Sequence, residues 1–326
     1  MKSNSKLDVV LAFTVAVLFA LIARAPAVRA DTAASASRPI AEYLGRWDLT
    51  VAIPTHARPS WIEFSEHEGR LEGLMIGLWG HATPTGEVKT EQGAFRLTVP
   101  ADEGFPEGTV LEGKLAGTEL VGTATTPNGA SWRWSGRRAP TLARKSPRHW
   151  GKPIRLFDGK DLVGWTFVDP TQAAAWSVED GMLVKHGRGS EIVTTSKYRD
   201  FKLHIEFKCG PMANSGVYLR GRYEVQIETN AAQEPPNRRS GAVYGFLTPK
   251  PALTRTPEIW QSYDITLIGR TVTVVHDGRT IIDHREIPGI TGGALDSDEG
   301  SPGPLYLQGT EDGQVSFRNI VITPAR

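Results

Sequence analysis

The chain carries one cysteine, Cys209, in 326 residues, so no disulfide can form within it and packing alone must hold its fold. At the end of an apolar-alternating run, that cysteine reads as a small buried hydrophobe. Metal-binding spacing is missing too. The histidines (His56, His67, His81, His149, His186, His204, His276, His284) are scattered, with no HExxH and no cysteine pair to make a zinc site. There is no GxSxG elbow and no phosphate-cradling glycine loop, which removes serine hydrolases and nucleotide enzymes. An excess of one charge is also lacking: 37 Lys and Arg stand against 36 Asp and Glu. That balance argues against a nucleic-acid partner, which demands a clustered positive footprint. The one basic run (Arg137, Arg138, Arg144, Lys145, Arg148, Lys152) reads as solvated linker. No segment has sustained helical periodicity, and all-β architecture is the expectation.

Long apolar runs are absent except at the start. Lys2 and Lys6 precede an apolar stretch from Leu7 to Ala23, and Val28-Arg29-Ala30 offers small residues where a signal peptidase reads. Residues 1–30 are therefore expected to be a signal peptide, with an uncleaved anchor as the alternative, and the mature protein to be periplasmic or secreted. No later segment is long enough to span a membrane.

After a short lead-in (31–40), residues 41–138 alternate as seven short strands: GRWDLTVAI, SWIEFSE, RLEGLMIGLW, GAFRLTV, TVLEGKL, ELVGTAT and SWRWSGR. Their spacing with Gly, Pro and Asn turns predicts a small antiparallel barrel or sandwich. Trp47, Trp61, Trp79, Trp132 and Trp134 fall here, and such aromatics either fill a barrel or offer a sugar-stacking surface. Residues 139–152 are polar, basic and proline-punctuated, as linkers are. Residues 153–326 read as a second all-β unit of about twelve to fourteen strands, with a sandwich of two antiparallel sheets as the natural solution. Asp200–Lys208 is its clearest strand, and Asp277-Gly278 predicts a tight hairpin turn between Thr271–His276 and Arg279–Asp283. The Gly- and Pro-rich stretch Pro288–Pro304 is too long for a turn and has the length of a functional rim or lid.

The chemistry concentrates in NSGVYLRGRYEVQIETN, residues 214–230. Strand side chains alternate faces, which places Glu224, Gln226 and Glu228 together opposite Val225 and Ile227, and Asn214, Tyr218 and Arg220 together opposite Val217 and Leu219. Tyr244, Trp260 and Gln308, the last beside Tyr306, are further candidates for a sugar-facing surface. Glu224 and Glu228 would have Cα atoms about 13 Å apart on a regular strand. Glycosidases place their two carboxyl groups roughly 5 to 10 Å apart, so this pair does not suit that chemistry.

From Ile154 onward, LFDGKDLVGW, WSVEDGML, DFKLHIEF, NSGVYLR, YEVQI, SGAVYGF, EIWQSYDI and GPLYLQGTEDGQVSFRNIVI occur in one order. In these eight segments the chain resembles the 3-keto-disaccharide hydrolase-like domain family. The resemblance implies a concanavalin A-like antiparallel β-sandwich, or jelly roll, with a sugar site on one sheet face, and an oligosaccharide or glycoside ligand. It also implies cleavage of 3-keto-glycosides: a ketone at C3 acidifies the hydrogen at C2, one base removes it, the C1 bond breaks by β-elimination, and water adds back. On that reading Glu224 or Glu228 is the base, Arg220 or a divalent metal ion stabilises the enolate, and Asn214 and Gln226 hold hydroxyls. No cofactor is otherwise implied. The chain departs from the family at Thr229, where an Asp is usual, and at Gln261, where an Asn is usual. A non-catalytic glycan-binding protein is the alternative function, and an interaction domain without a sugar is a third.

Overall fold

The protein is described from a computed structural model that covers residues 40–101, 104–228, 234–253, 256–309 and 311–326. The expected signal peptide and Thr229 lie outside these residues. The first unit is a closed antiparallel meander of eight strands: β1 (Gly45–Ala52), β2 (Ala57–His67), β3 (Arg70–Ile76), β4 (Thr83–Glu91), β5 (Ala94–Thr98), β6 (Val110–Ala116), β7 (Glu119–Thr125) and β8 (Ser131–Arg138). Each strand pairs with the next, and β8 returns to β1 through Trp47↔Arg138 to Val51↔Trp134. Closure leaves no free sheet edge. Trp47, Leu49 and Val51 of β1 point inward with Ile62, Phe64, Phe95, Leu111, Leu120 and Trp134, and these side chains fill the barrel. The sequence predicts seven strands here. The eighth, β4, buries only Val88 fully and contains Pro84 and Gly86, so its apolar period is too faint to read.

Residues 139–149 carry no strand, and Trp150 makes one bridge to Ala325. The second unit has thirteen strands: β9 (Ile154–Arg155), β10 (Trp165–Phe167), β11 (Trp176–Glu179), β12 (Met182–His186), β13 (Ile192–Thr194), β14 (Phe201–Cys209), β15 (Asn214–Leu219), β16 (Tyr223–Glu228), β17 (Gln261–Ile268), β18 (Thr271–His276), β19 (Arg279–Glu286), β20 (Tyr306–Leu307) and β21 (Gln314–Pro324). They form a five-stranded sheet in the order β10-β13-β20-β15-β16 and a larger sheet in the order β11-β12-β21-β14-β17-β18-β19, with β9 pairing the far end of β21. Alternate residues of β14 (Leu203, Ile205, Phe207) and β17 (Tyr263, Ile265, Leu267) meet Val217, Leu219, Val225 and Ile227 of the smaller sheet to form the core. Cys209 is buried at the end of β14, as its apolar neighbours predict. Asp277 and Gly278 adopt φ of 47° and 74°, the left-handed pair that a tight two-residue hairpin turn requires.

The two units share a core. Trp61 and Ile76 are cross-strand partners on the outer face of the barrel, and both belong to the hydrophobic cluster of the sandwich. Trp61 is fully buried, stacks on Phe246 at 6.0 Å and donates its indole N–H to the Ile290 carbonyl at 3.0 Å. Polar contacts reinforce this seam. Arg46 of β1 is paired with the buried Glu299 carboxylate, which also accepts from the Tyr223 hydroxyl at 2.7 Å. The outer face of β15 and β16 is consequently buried as well as the inner one, although it is the polar face.

Candidate active site

β16 is the edge strand of the smaller sheet, and its edge is covered by the chain that follows. Gln226 N–H donates to the Ala242 carbonyl, Gly241 N–H to Gln226, and Tyr244 N–H to Glu224 at 3.1 Å. This pairing carries Tyr244 to the polar face beside Glu224. The long loop after β19 docks from another side: Thr291 donates its N–H to the Arg222 carbonyl, and its hydroxyl accepts from Glu224 N–H at 3.0 Å. The stretch expected to act as a rim therefore forms one wall of the site.

A cleft of 380 Å³ results, bordered on the sandwich by Arg188, Glu191, Asn214, Tyr218, Glu224, Gln226, Tyr244, Tyr306, Gln308 and Glu311, on the loop by Gly292 and Gly293, and on the barrel by Arg58, Trp79 and Gly80; Arg188 is already paired with Asp312 at 2.9 Å. Six of the residues selected from sequence thus share one cavity: Asn214, Tyr218, Glu224, Gln226, Tyr244 and Gln308. The common face of Asn214, Tyr218, Glu224 and Gln226 follows from the alternation of β15 and β16, which pair without a register shift from Asn214↔Glu228 to Leu219↔Tyr223.

Glu224 sits deepest. Gly216 lies beneath it, and a Cβ at that position would run into its carboxyl oxygen Oε1. Burial pushes the Glu224 carboxyl up to about 8, against a smaller downward pull from its hydrogen bond with Tyr218. The Tyr218 hydroxyl donates to the Gly292 carbonyl at 2.8 Å, and its ring stacks on Tyr306 at 4.1 Å. Tyr244 is pushed up to about 12, by burial first and by the Glu224 charge second, so it stays a neutral donor. Asn214 Oδ1, Glu224 Oε1 and Gln308 Oε1 are buried with no hydrogen-bond partner among the described residues. Buried acceptors without partners are costly, and three of them in one cleft call for a ligand rich in hydroxyl donors. Lys185, on β12, supports this end from behind by donating to the Asn214 carbonyl at 3.2 Å and the Glu311 carbonyl at 2.5 Å.

Three expected site residues lie elsewhere. Arg220 does not continue the face of Asn214 and Tyr218, because β15 ends at Leu219 and Arg220 is in the turn with φ of 54°. Its buried guanidinium donates to the carbonyls of Glu299 and Gly269 and to the Tyr223 hydroxyl, which makes it part of the seam network. Glu228 shares the face of Glu224 but not the cleft; its backbone N–H and carbonyl are both held by the Ser240 hydroxyl. The regular pairing of β16 keeps the Cα atoms of Glu224 and Glu228 about 13 Å apart along the strand. Trp260 precedes β17 in the other sheet, with the Arg318 guanidinium 3.9 Å from its ring centroid and Lys208 at 5.6 Å. Gln261 is on that sheet also, so its departure from the family pattern does not touch the cleft. Among the described residues no group of three His, Cys, Asp or Glu is placed to hold a metal ion.

Sequence reasoning overlooked Glu191 and Arg58, and left Trp79 undecided between barrel filling and a sugar-stacking surface. Glu191 precedes the three-residue β13 and has no alternation to mark it. Arg58 and Trp79 reach the cleft only because the barrel packs there. Trp79 alone among the barrel tryptophans stands out as a large exposed hydrophobic, at 42 %.

A family model described as the 3-keto-alpha-glucoside-1,2-lyase-like domain matches residues 152–323. A curated relative, the 3-keto-disaccharide hydrolase of Bacteroides thetaiotaomicron, is 28 % identical over 75 residues, which is 20 % of this chain and 26 % of that protein. The match spans about a quarter of that relative's length. A crystal structure from Parabacteroides distasonis, provisionally assigned as a glycosyl hydrolase, is 31 % identical and aligns over 55 % of this chain and 92 % of that one with a TM-score of 0.46. A carbohydrate binding module from Bacillus subtilis aligns over 48 % of this chain and 93 % of its own at 15 % identity, with a TM-score of 0.35.

Proposed function

Because this chain belongs to the 3-keto-alpha-glucoside-1,2-lyase-like domain family, we propose that it is a carbohydrate-active enzyme cleaving 3-keto-glycosides by β-elimination and then hydration. The observation that carries this reading is Glu224, a buried carboxyl at the floor of a cleft with its proton affinity raised toward neutrality. A general base works best when its pKa lies near the working pH, and a positioned base contributes about 10² to 10⁴ in rate. In its ionised form Glu224 takes the C2 proton of the bound keto-sugar. The C–H electron pair forms the C2–C3 double bond, and the carbonyl pair moves to the C3 oxygen. Collapse of this enolate expels the C1 substituent, whose oxygen takes a proton from the Tyr244 phenol. Water then adds at C1, giving one proton to the Tyr244 phenolate, as protonated Glu224 supplies a proton to C2; both residues are restored and the net reaction is hydrolysis. Asn214, Gln226 and Gln308 offer amides to the sugar hydroxyls.

Glu191 and Glu311 also border the cleft, and a conventional two-carboxylate hydrolase would not need the ketone. Incubating the protein with a 3-keto-glucoside beside the same glucoside unoxidised separates the two chemistries. The elimination route predicts release from the keto substrate alone; equal release from both would remove it, and saturable binding without release from either would favour a glycan-binding protein. We also place the protein outside the cytoplasm, on the basic start and apolar run of residues 1–30. Intact-mass analysis of exported protein should find a chain beginning near Asp31.

A further inference from the structure

The family match begins at residue 152, so the barrel lies outside it. The barrel nevertheless supplies one wall of the cleft that holds Glu224, through Arg58 on β2 and Trp79 after β3. The Arg58 guanidinium lies over the Trp79 ring, 4.1 Å from its centroid. Stacking fixes a guanidinium in place without using its N–H groups, and the planar fork stays available for an oxygen ligand. Arg58 has no hydrogen bond or ion pair to any described residue, and its Nε is buried without a partner. Burial works against its charge, and the carboxylate of Glu191 offsets this only by longer-range attraction. Arg58 is half-buried, and its Nε is a donor withdrawn from water and left unspent. An oxygen that gains negative charge during a reaction would satisfy the guanidinium with charge-assisted hydrogen bonds.

We propose that Arg58 is the electrophile of this active site: it donates to the C3 carbonyl oxygen of the bound 3-keto-sugar and stabilises the enolate oxygen formed as Glu224 removes the C2 proton. This rests on the elimination reading above. Arg58 gives up no proton; it stays a guanidinium while charge builds on the C3 oxygen and disperses as the C1 bond breaks. It takes the part expected of Arg220 from the strand alternation. The barrel thereby becomes part of the catalytic machinery, and Trp79 the residue that aims it.

The test uses the full chain as wild type, Arg58→Lys and Arg58→Met, each measured for kcat and KM on a 3-keto-glucoside, for binding of the free 3-keto sugar, and for thermal unfolding. Loss of a donor to a developing oxyanion costs about 10² to 10³ in kcat. Arg58→Met should show that loss with KM and melting temperature little changed. Arg58→Lys should fall at least tenfold, because a point charge does not replace the fork. A merely structural arginine would instead lower the melting temperature and leave kcat of the folded fraction intact. If the wild type is active and Arg58→Met turns over within about threefold of it, Arg58 is not the electrophile and the Glu224 mechanism stands without it. Should Arg58→Met fail to fold, an unchanged kcat in Arg58→Lys overturns the role in the same way. A wild type that neither binds nor cleaves the keto-sugar removes the elimination reading, and the role of Arg58 with it.

Discussion

Replacing Tyr218 by Phe removes one hydroxyl and keeps the ring that stacks on Tyr306 at 4.1 Å. In the wild type that hydroxyl has one proton, given to the Gly292 carbonyl at 2.8 Å while Glu224 is neutral and to the Glu224 carboxylate once it ionises, which lowers the proton affinity of Glu224 against a burial effect that leaves the carboxyl at about 8. The base must be ionised to act, so kcat/KM should rise with pH to a plateau, with its midpoint near 8. A hydrogen bond to a charged group contributes about 1.5 to 3 kcal/mol. At roughly 1.4 kcal/mol per pH unit, its loss moves the midpoint up by about one to two pH units. At pH 8 half of the wild-type carboxyl is ionised, against about a tenth to a hundredth in the variant, so activity there should drop about five- to fiftyfold. Above the shifted midpoint, where both carboxyls are ionised, the two profiles should converge. The assay is initial rate on a 3-keto-glucoside across the pH range. A Tyr218→Phe profile that superimposes on the wild type, or moves to lower pH, refutes the coupling between Tyr218 and Glu224.

Three other substitutions probe the surrounding frame. Trp61→Ala empties a fully buried site in the shared core; it should cost about 3 to 5 kcal/mol by thermal unfolding and lower activity as well, because Trp61 anchors Ile290 next to Thr291. Gly216→Ala should lower turnover far more than stability, since the new methyl displaces the Glu224 carboxyl; unchanged turnover would show that the carboxyl has room to move. Asp48, at the seam, has its carboxyl pushed up to about 7 by burial first and the Glu299 charge second. The folded state therefore holds a proton that the unfolded chain releases near pH 4, and stability should fall as pH rises from about 4 through 7. Asp48→Asn should flatten that fall and melt several degrees higher than the wild type at pH 8, with little difference at pH 4.

Local pattern carried most of the fold. The period of two in β14 and β16 and the Asp277-Gly278 turn are properties of neighbouring residues, and each appears in the structure where the sequence places it. Glu224, Gln226, Tyr218 and Asn214 were legible as one face for the same reason. Arg220 was not, because alternation holds only while the strand lasts and Leu219 is its last residue. Trp260 failed differently: its segment, EIWQSYDI, was noted for the family resemblance, but nothing local says which sheet the strand after it joins. That Arg58 and Trp79 border the cleft of Glu224 was illegible because they reach it from a separate barrel more than a hundred residues away. Trp61 and Trp79 look alike in sequence, yet one is buried in the neighbouring unit's core and the other faces the cleft. Strand β4 was missed because its single buried apolar residue, Val88, leaves no period to see.

Deuterium at C2 tests the central claim most directly. The reaction is run in heavy water with the wild type and with Glu224→Gln, which keeps the side-chain shape and removes the proton acceptor, and exchange of the free 3-keto sugar is measured alongside as a control. Abstraction by Glu224 predicts solvent deuterium at C2 of the sugar released by the wild type, and turnover reduced about 10² to 10⁴ in Glu224→Gln with binding nearly unchanged. Robust turnover with C2 still carrying its original hydrogen, or a Glu224→Gln variant as fast as the wild type, would contradict the mechanism.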